Sequence, residues 1–153
     1  MDFNSIEDII KFAIEKEDQA IAFYNEISEL ESFTSSKDIF KDFVNEETKH
    51  KSMLDNFLND KSLIDQYNLK WIQDIKRSDY IVEFEYEKGM PYVDILRLAM
   101  KREEKSLQLY NHLQSKAKDD KQLKIFQILA QEEAKHKSIL EKIYDDHLAK
   151  QGD

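Results

Sequence analysis

Two short stretches, NEETKH at 45–50 and QEEAKH at 131–136, each place a glutamate three residues before a histidine: Glu47 with His50, and Glu133 with His136. Residues at i and i+3 of a helix share one face about a turn apart, so each pair can offer a carboxylate and an imidazole to a single point. Two further glutamates, Glu17 and Glu103, stand in segments whose other same-face positions are apolar. An unpaired buried carboxylate costs several kcal/mol, so four of them on apolar stripes call for positive charge. No Lys or Arg falls on those stripes near that level. Two divalent metal ions balance four carboxylates and leave neutral imidazoles free to ligate. Oxygen and imidazole donors without sulfur suit iron, manganese or zinc.

These residues recur. A shift of 86 residues aligns AIEKEDQAIAFYN (13–25) with AMKREEKSLQLYN (99–111), and IFKDFVNEETKHKSML (39–54) with IFQILAQEEAKHKSIL (125–140). Seven of the nine positions in 46–54 are identical to their counterparts. A helix pair is therefore used twice, and the repeated residues include polar ones that packing alone does not require.

Four helices position the six residues. The first is expected from Asn4 to about 32, with Asn4 and Glu7 as a capping box and an inner stripe of Ile10, Ala13, Glu17, Ala20 and Tyr24. The second follows a break at Thr34, Ser35 and Ser36 and runs to about Asn59 with Phe40, Phe43, Glu47, His50 and Leu54 inward, forming an antiparallel hairpin with the first. Pro91 opens the third, at a favoured first helical position. This helix continues to about Lys116 with Leu96, Ala99, Glu103, Ser106 and Tyr110 inward. Asp119 is the expected N-cap of the fourth, which reaches about Leu148 with Phe126, Leu129, Glu133, His136 and Leu140 inward. The polar residues fall near mid-helix and meet at one depth whichever way each helix runs.

About thirty residues, 60–90, separate the halves, far more than a helix–helix loop needs. They include a short amphipathic piece at 64–75 and the mixed stretch DYIVEFEYEKGM. Such a segment can travel back along a helix of about 37 Å, which predicts an all-α bundle with one long crossover in a single domain, 1–153. Composition agrees: with two glycines, one proline and no cysteine among 153 residues, the chain suits long helices and excludes disulfides and sulfur-ligated metals. A net charge of −9 argues against nucleic acid or an anionic membrane as partner. The start has no leader pattern and no apolar run spans a membrane, so a cytoplasmic location is expected.

The pairing of AIEKEDQAIAFY with NEETKH, repeated as AMKREEKSLQLY with QEEAKH, resembles the rubrerythrin-like branch of the ferritin-like di-iron carboxylate superfamily over all four helices. One Glu from each of two helices plus Glu-x-x-His from the other two is the ligand pattern of ferritin-like di-iron bundles. The resemblance implies two iron ions, with Glu17 and Glu103 as terminal ligands and Glu47 and Glu133 as bridges. The chain departs from the family at two points. Ser106 stands where rubrerythrins keep a further glutamate one turn after Glu103. The Cys-x-x-Cys pairs of a rubredoxin-like domain are absent, so electrons must come from a separate donor such as a rubredoxin-like protein.

The expected function is redox chemistry with O₂ or H₂O₂. A ferroxidase step in iron handling and a metal-stabilised structural bundle are the alternatives. Tyr24 and Tyr110, two turns beyond Glu17 and Glu103, are candidates for hydrogen bonding or electron relay at the site, or ordinary core tyrosines. Glu46 and Glu132 are expected to face solvent, as are His112 and His147. Trp71 and the aromatics of 80–86 suit apolar cover or a dimer surface, and a homodimer is expected.

Overall fold

Ser5 opens the first helix. Its extended backbone (φ −153°, ψ 164°) lets the hydroxyl accept the Asp8 N–H at 3.2 Å, and α1 runs Ile6–Leu30. The cap therefore sits one residue beyond the expected Asn4, because Ser5 with Asp8 also satisfies the cap-to-third-residue spacing and its hydroxyl reaches the free amide. The computed structural model describes residues 2–31, 34–70, 72 and 84–151, which group into two compact units, Met1–Tyr67 and Asn68–Asp153.

In the first unit α1 packs on α2, Thr34–Asn59, which takes in the three residues expected to form a break, since Thr and Ser are tolerated in a first helical turn. Ile9, Ile10, Ala13, Tyr24 and Ile27 of α1 and Phe40, Phe43, Leu54 and Phe57 of α2 are buried. Removing each large apolar side chain from water contributes about 1.5–3 kcal/mol, so this stripe, more than helix propensity, holds the hairpin. A short helix α3, Ser62–Gln66, follows. Asp60 shapes its start by accepting the Ser62 Oγ–H at 2.6 Å and the Ser62 N–H at 3.1 Å, bonds that hold the Asp60 carboxyl below its ordinary range. Of the amphipathic piece expected at 64–75, residues 64–66 are helical and 67–70 are not, since Tyr67 turns extended at ψ 128°. Trp71 and residues 73–83, Tyr80 among them, lie outside the described residues.

In the second unit α4, Tyr92–Gln114, packs on α5, Asp120–Gln151. Pro91 sits just before the first turn with ψ 145°, and its carbonyl accepts from Asp94 at 2.9 Å and Ile95 at 3.1 Å. Asp119 caps α5 as expected, its Oδ1 accepting the Gln122 N–H at 2.8 Å. Leu96, Ala99, Tyr110 and Leu113 of α4 face Phe126, Leu129 and Leu140 of α5 in the buried interior. No strand occurs among the described residues, and none of their helices is long and apolar enough to cross a membrane.

Gly89 turns the chain into α4 with φ 85°, and Met90 N–H closes that turn on the Glu87 carbonyl at 3.1 Å. A Cβ at Gly89 would meet nothing within 4 Å, so only backbone conformation opposes a side chain there. Gly89→Ala is expected to lower stability by about 1–2 kcal/mol in a denaturant titration, the cost of a left-handed L-residue. An unchanged midpoint would show that the turn relaxes.

Candidate metal centre

Glu17 at mid-α1 and Glu47 and His50 at mid-α2 are buried, as are Glu103 at mid-α4 and Glu133 and His136 at mid-α5. All six are between 1% and 8% exposed. The burial follows from register: Glu17 continues the stripe of Ile10 and Ala13, and Glu133 and His136 continue that of Phe126 and Leu129.

Within the first unit His50 Nδ1 lies 3.7 Å from Glu17 Oε1 and 3.9 Å from Glu47 Oε2. Within the second, His136 Nδ1 lies 3.8 Å from Glu103 Oε2, and one ligand atom each of Glu103, Glu133 and His136 fall within 4.8 Å of one another. These separations are too long for hydrogen bonds. They match the gap between two atoms ligating one ion, since donors about 2.1 Å from a metal stand roughly 3–4 Å apart. Each unit thus supplies two carboxylates and one imidazole, a donor set that one divalent ion neutralises. Within each hairpin, three of the six residues expected to ligate therefore lie buried and close together.

Tyr24 and Tyr110 are also interior, at 0% and 1% exposed. Tyr24 stacks on Phe40 and Phe43 at centroid distances of 5.8 and 5.3 Å, which makes it part of the aromatic core beside the first cluster. Glu46 is exposed as expected and pairs with Lys49 at 3.3 Å. Glu132 corrects its expectation: it is buried, its carboxylate held by Lys135 at 3.2 Å. α5 is covered on more than its ligand stripe, and a single-stripe reading misses this. His112 is exposed, and His147 lies partly covered with its ring edge-on to Tyr92 at 4.9 Å.

A family model described as Rubrerythrin matches residues 4–88 and 94–151. The chain belongs to the rubrerythrin family. No curated protein and no solved structure matches it at a significant level. Rubrerythrins are ferritin-like, all-α, four-helix proteins of the di-iron carboxylate class, and α1, α2, α4 and α5 are the four long helices of this member. The matched segments contain all six Glu and His residues of the two clusters and the helices that position them.

A further set of buried charges accompanies the second cluster. Glu104, Lys137 and Glu141 are 2%, 2% and 0% exposed, and Lys101 Nζ lies 2.8 Å from Glu104 Oε2. They escape a reading confined to the ligand stripe, because each lies on the neighbouring stripe of its helix. The signal was available in the repeat, where Glu104 and Lys137 match Asp18 and Lys51.

Proposed function

We propose that this rubrerythrin uses Glu17, Glu47, His50, Glu103, Glu133 and His136 to hold a pair of iron ions for the reduction of O₂ or H₂O₂, with electrons from a separate donor protein. The observation that carries the proposal is the duplicated buried cluster of two carboxylates and one imidazole, neutral with one divalent ion per hairpin. Two ferrous ions supply two electrons, enough with two protons to reduce one H₂O₂ to two waters.

The protein's part is geometry and shelter. Glu17 and Glu103 come from the first helix of each hairpin, and the Glu-x-x-His pair comes from the second, so each ion site depends on helix–helix packing. Phe40, Phe43 and Tyr24 in the first hairpin, and Phe126, Leu129 and Tyr110 in the second, are buried along the same stripes as the carboxylates and help keep them out of bulk water. Exclusion of water strengthens their hold on a cation and shields reduced metal from side reactions. Tyr24 and Tyr110 are placed to assist as hydrogen-bonding or electron-relay groups.

The test is anaerobic loading with Fe²⁺ followed by stopped-flow mixing with O₂ or H₂O₂, with remaining Fe²⁺ measured by a chelating dye. Two equivalents of Fe²⁺ per chain should bind and be oxidised faster than free Fe²⁺ by at least one oxidant. Oxidation no faster than free Fe²⁺ by either would reject the redox reading, and binding of only zinc-like ions would leave a structural centre instead.

A further inference from the structure

The repeat carries an ion pair as well as ligands. In the first unit Asp18, next to Glu17, meets Lys51, next to His50, at 2.8 Å. Both side chains reach water, 52% and 39% exposed. The matching residues of the second unit are Glu104, next to Glu103, and Lys137, next to His136, and both are buried.

Register shows how the second set is arranged. Arg97 Nε donates to Tyr144 Oη at 3.1 Å, with the guanidinium against the Tyr144 ring, which fixes antiparallel α4 against α5. Counting inward from that bond, Lys101 comes level with Glu141 and Glu104 with Lys137. These residues continue the stripes 97–101–104–108 and 144–141–137, spaced by three and four. Glu104 is also tied to Lys101 and accepts from the Gln108 side-chain amide. Two lysines and two glutamates make the set self-neutral. Lys101 neutralises Glu104, and Lys137 and Glu141, four apart on α5, are buried beside them.

Such a set stands or falls as a unit, because a buried charge that loses its partner is costly. It therefore locks the rotation and slide of α4 against α5 one residue from Glu103 and one residue from His136. The exposed Asp18–Lys51 pair has water to replace either partner and restrains its hairpin weakly.

We propose that Lys101, Glu104, Lys137 and Glu141 are positioning residues that preorganise Glu103, Glu133 and His136, so that the second hairpin binds its metal ion more tightly and fills first. This rests on the reading of the two clusters as metal sites. A site already in its binding geometry loses less affinity to ordering its ligands. Outer groups that orient ligands typically contribute 10–100-fold in metal affinity.

The experiment is an anaerobic Co²⁺ titration of the full chain, followed by visible absorption and calorimetry, with His50→Ala and His136→Ala assigning each step to a hairpin. The wild type should bind two ions in separated steps, the tighter one lost in His136→Ala. The charge-neutral double variant Glu104→Gln/Lys137→Met should weaken the tighter step by about tenfold or more and leave the other within about threefold. The matched double variant Asp18→Asn/Lys51→Met should move neither step beyond that margin. Lys137→Arg, which keeps the charge, should retain the tighter step, whereas a merely structural role would show as a lower melting temperature with unchanged affinities. Equal steps in the wild type, an unaffected tighter step in the Glu104→Gln/Lys137→Met protein, or equal losses in both double variants would overturn the proposal. Absence of any Co²⁺ binding by the wild type would instead reject the metal-site reading itself.

Discussion

Stripping metal from the protein is expected to lower its melting temperature by roughly 10 °C. Two ions that bind only the folded state, each at about thirty times its dissociation constant, together stabilise it by about 4 kcal/mol, and a chain of this length shifts by about 2–4 °C per kcal/mol. The sign follows from burial: Glu17 and Glu47 in one hairpin, and Glu103 and Glu133 in the other, keep pairs of carboxylates in the interior. Without a cation these pairs repel, so the metal-free protein carries the strain. Glu133→Gln should consequently make the metal-free form melt higher than metal-free wild type, while reducing the shift on adding metal. Differential scanning calorimetry with and without a chelator measures both effects. A metal-free wild type that melts with the loaded form, or a Glu133→Gln variant that is less stable without metal, would refute the repulsion argument.

Replacing Ser106 with glutamate is expected to shift the protein's preference between oxidants, changing the H₂O₂-to-O₂ rate ratio by about tenfold, or roughly 1.4 kcal/mol of relative barrier. Ser106 lies one turn after Glu103 on α4, and its repeat partner is Ala20. Neither residue supplies a carboxylate, whereas rubrerythrins with a glutamate at the Ser106 position have one more ligand. A serine side chain is too short to replace that ligand, so an ion held near Glu103 would keep room for a small molecule. Ser106→Glu restores the family pattern at that position, and peroxide should respond more than dioxygen. Stopped-flow rates for Fe²⁺-loaded wild type and variant decide the matter. The same ratio in both proteins would remove Ser106 from any role in oxidant choice.

The burial of all six candidate ligands was legible in the sequence because their types contradict their positions: Glu17 and Glu133 occupy slots that Ile10 and Phe126 fill two turns away. The repeat then separated chance from design. Helix ends were legible where a side chain caps the backbone, as at Asp119. They were off by one at Asn4, where Ser5 satisfied the same rule. Glu132 and Lys137 were misread or missed for a different reason. Long charged side chains look alike in sequence whether solvated or buried, and only packing around α5 determines which.

The candidate ligands also sit where the backbone opens least. Each lies more than two turns from either end of its helix, beyond the reach of terminal fraying. Local opening that would loosen a loop-borne site does not reach them, so an ion leaves either by side-chain swings within the closed core or by cooperative unfolding of a hairpin. If the second route dominates, the rate at which a chelator extracts metal should track deuterium uptake at the amides of Glu47 and Glu133. The centre would then hold its cargo kinetically, at concentrations of free metal where equilibrium alone would empty it.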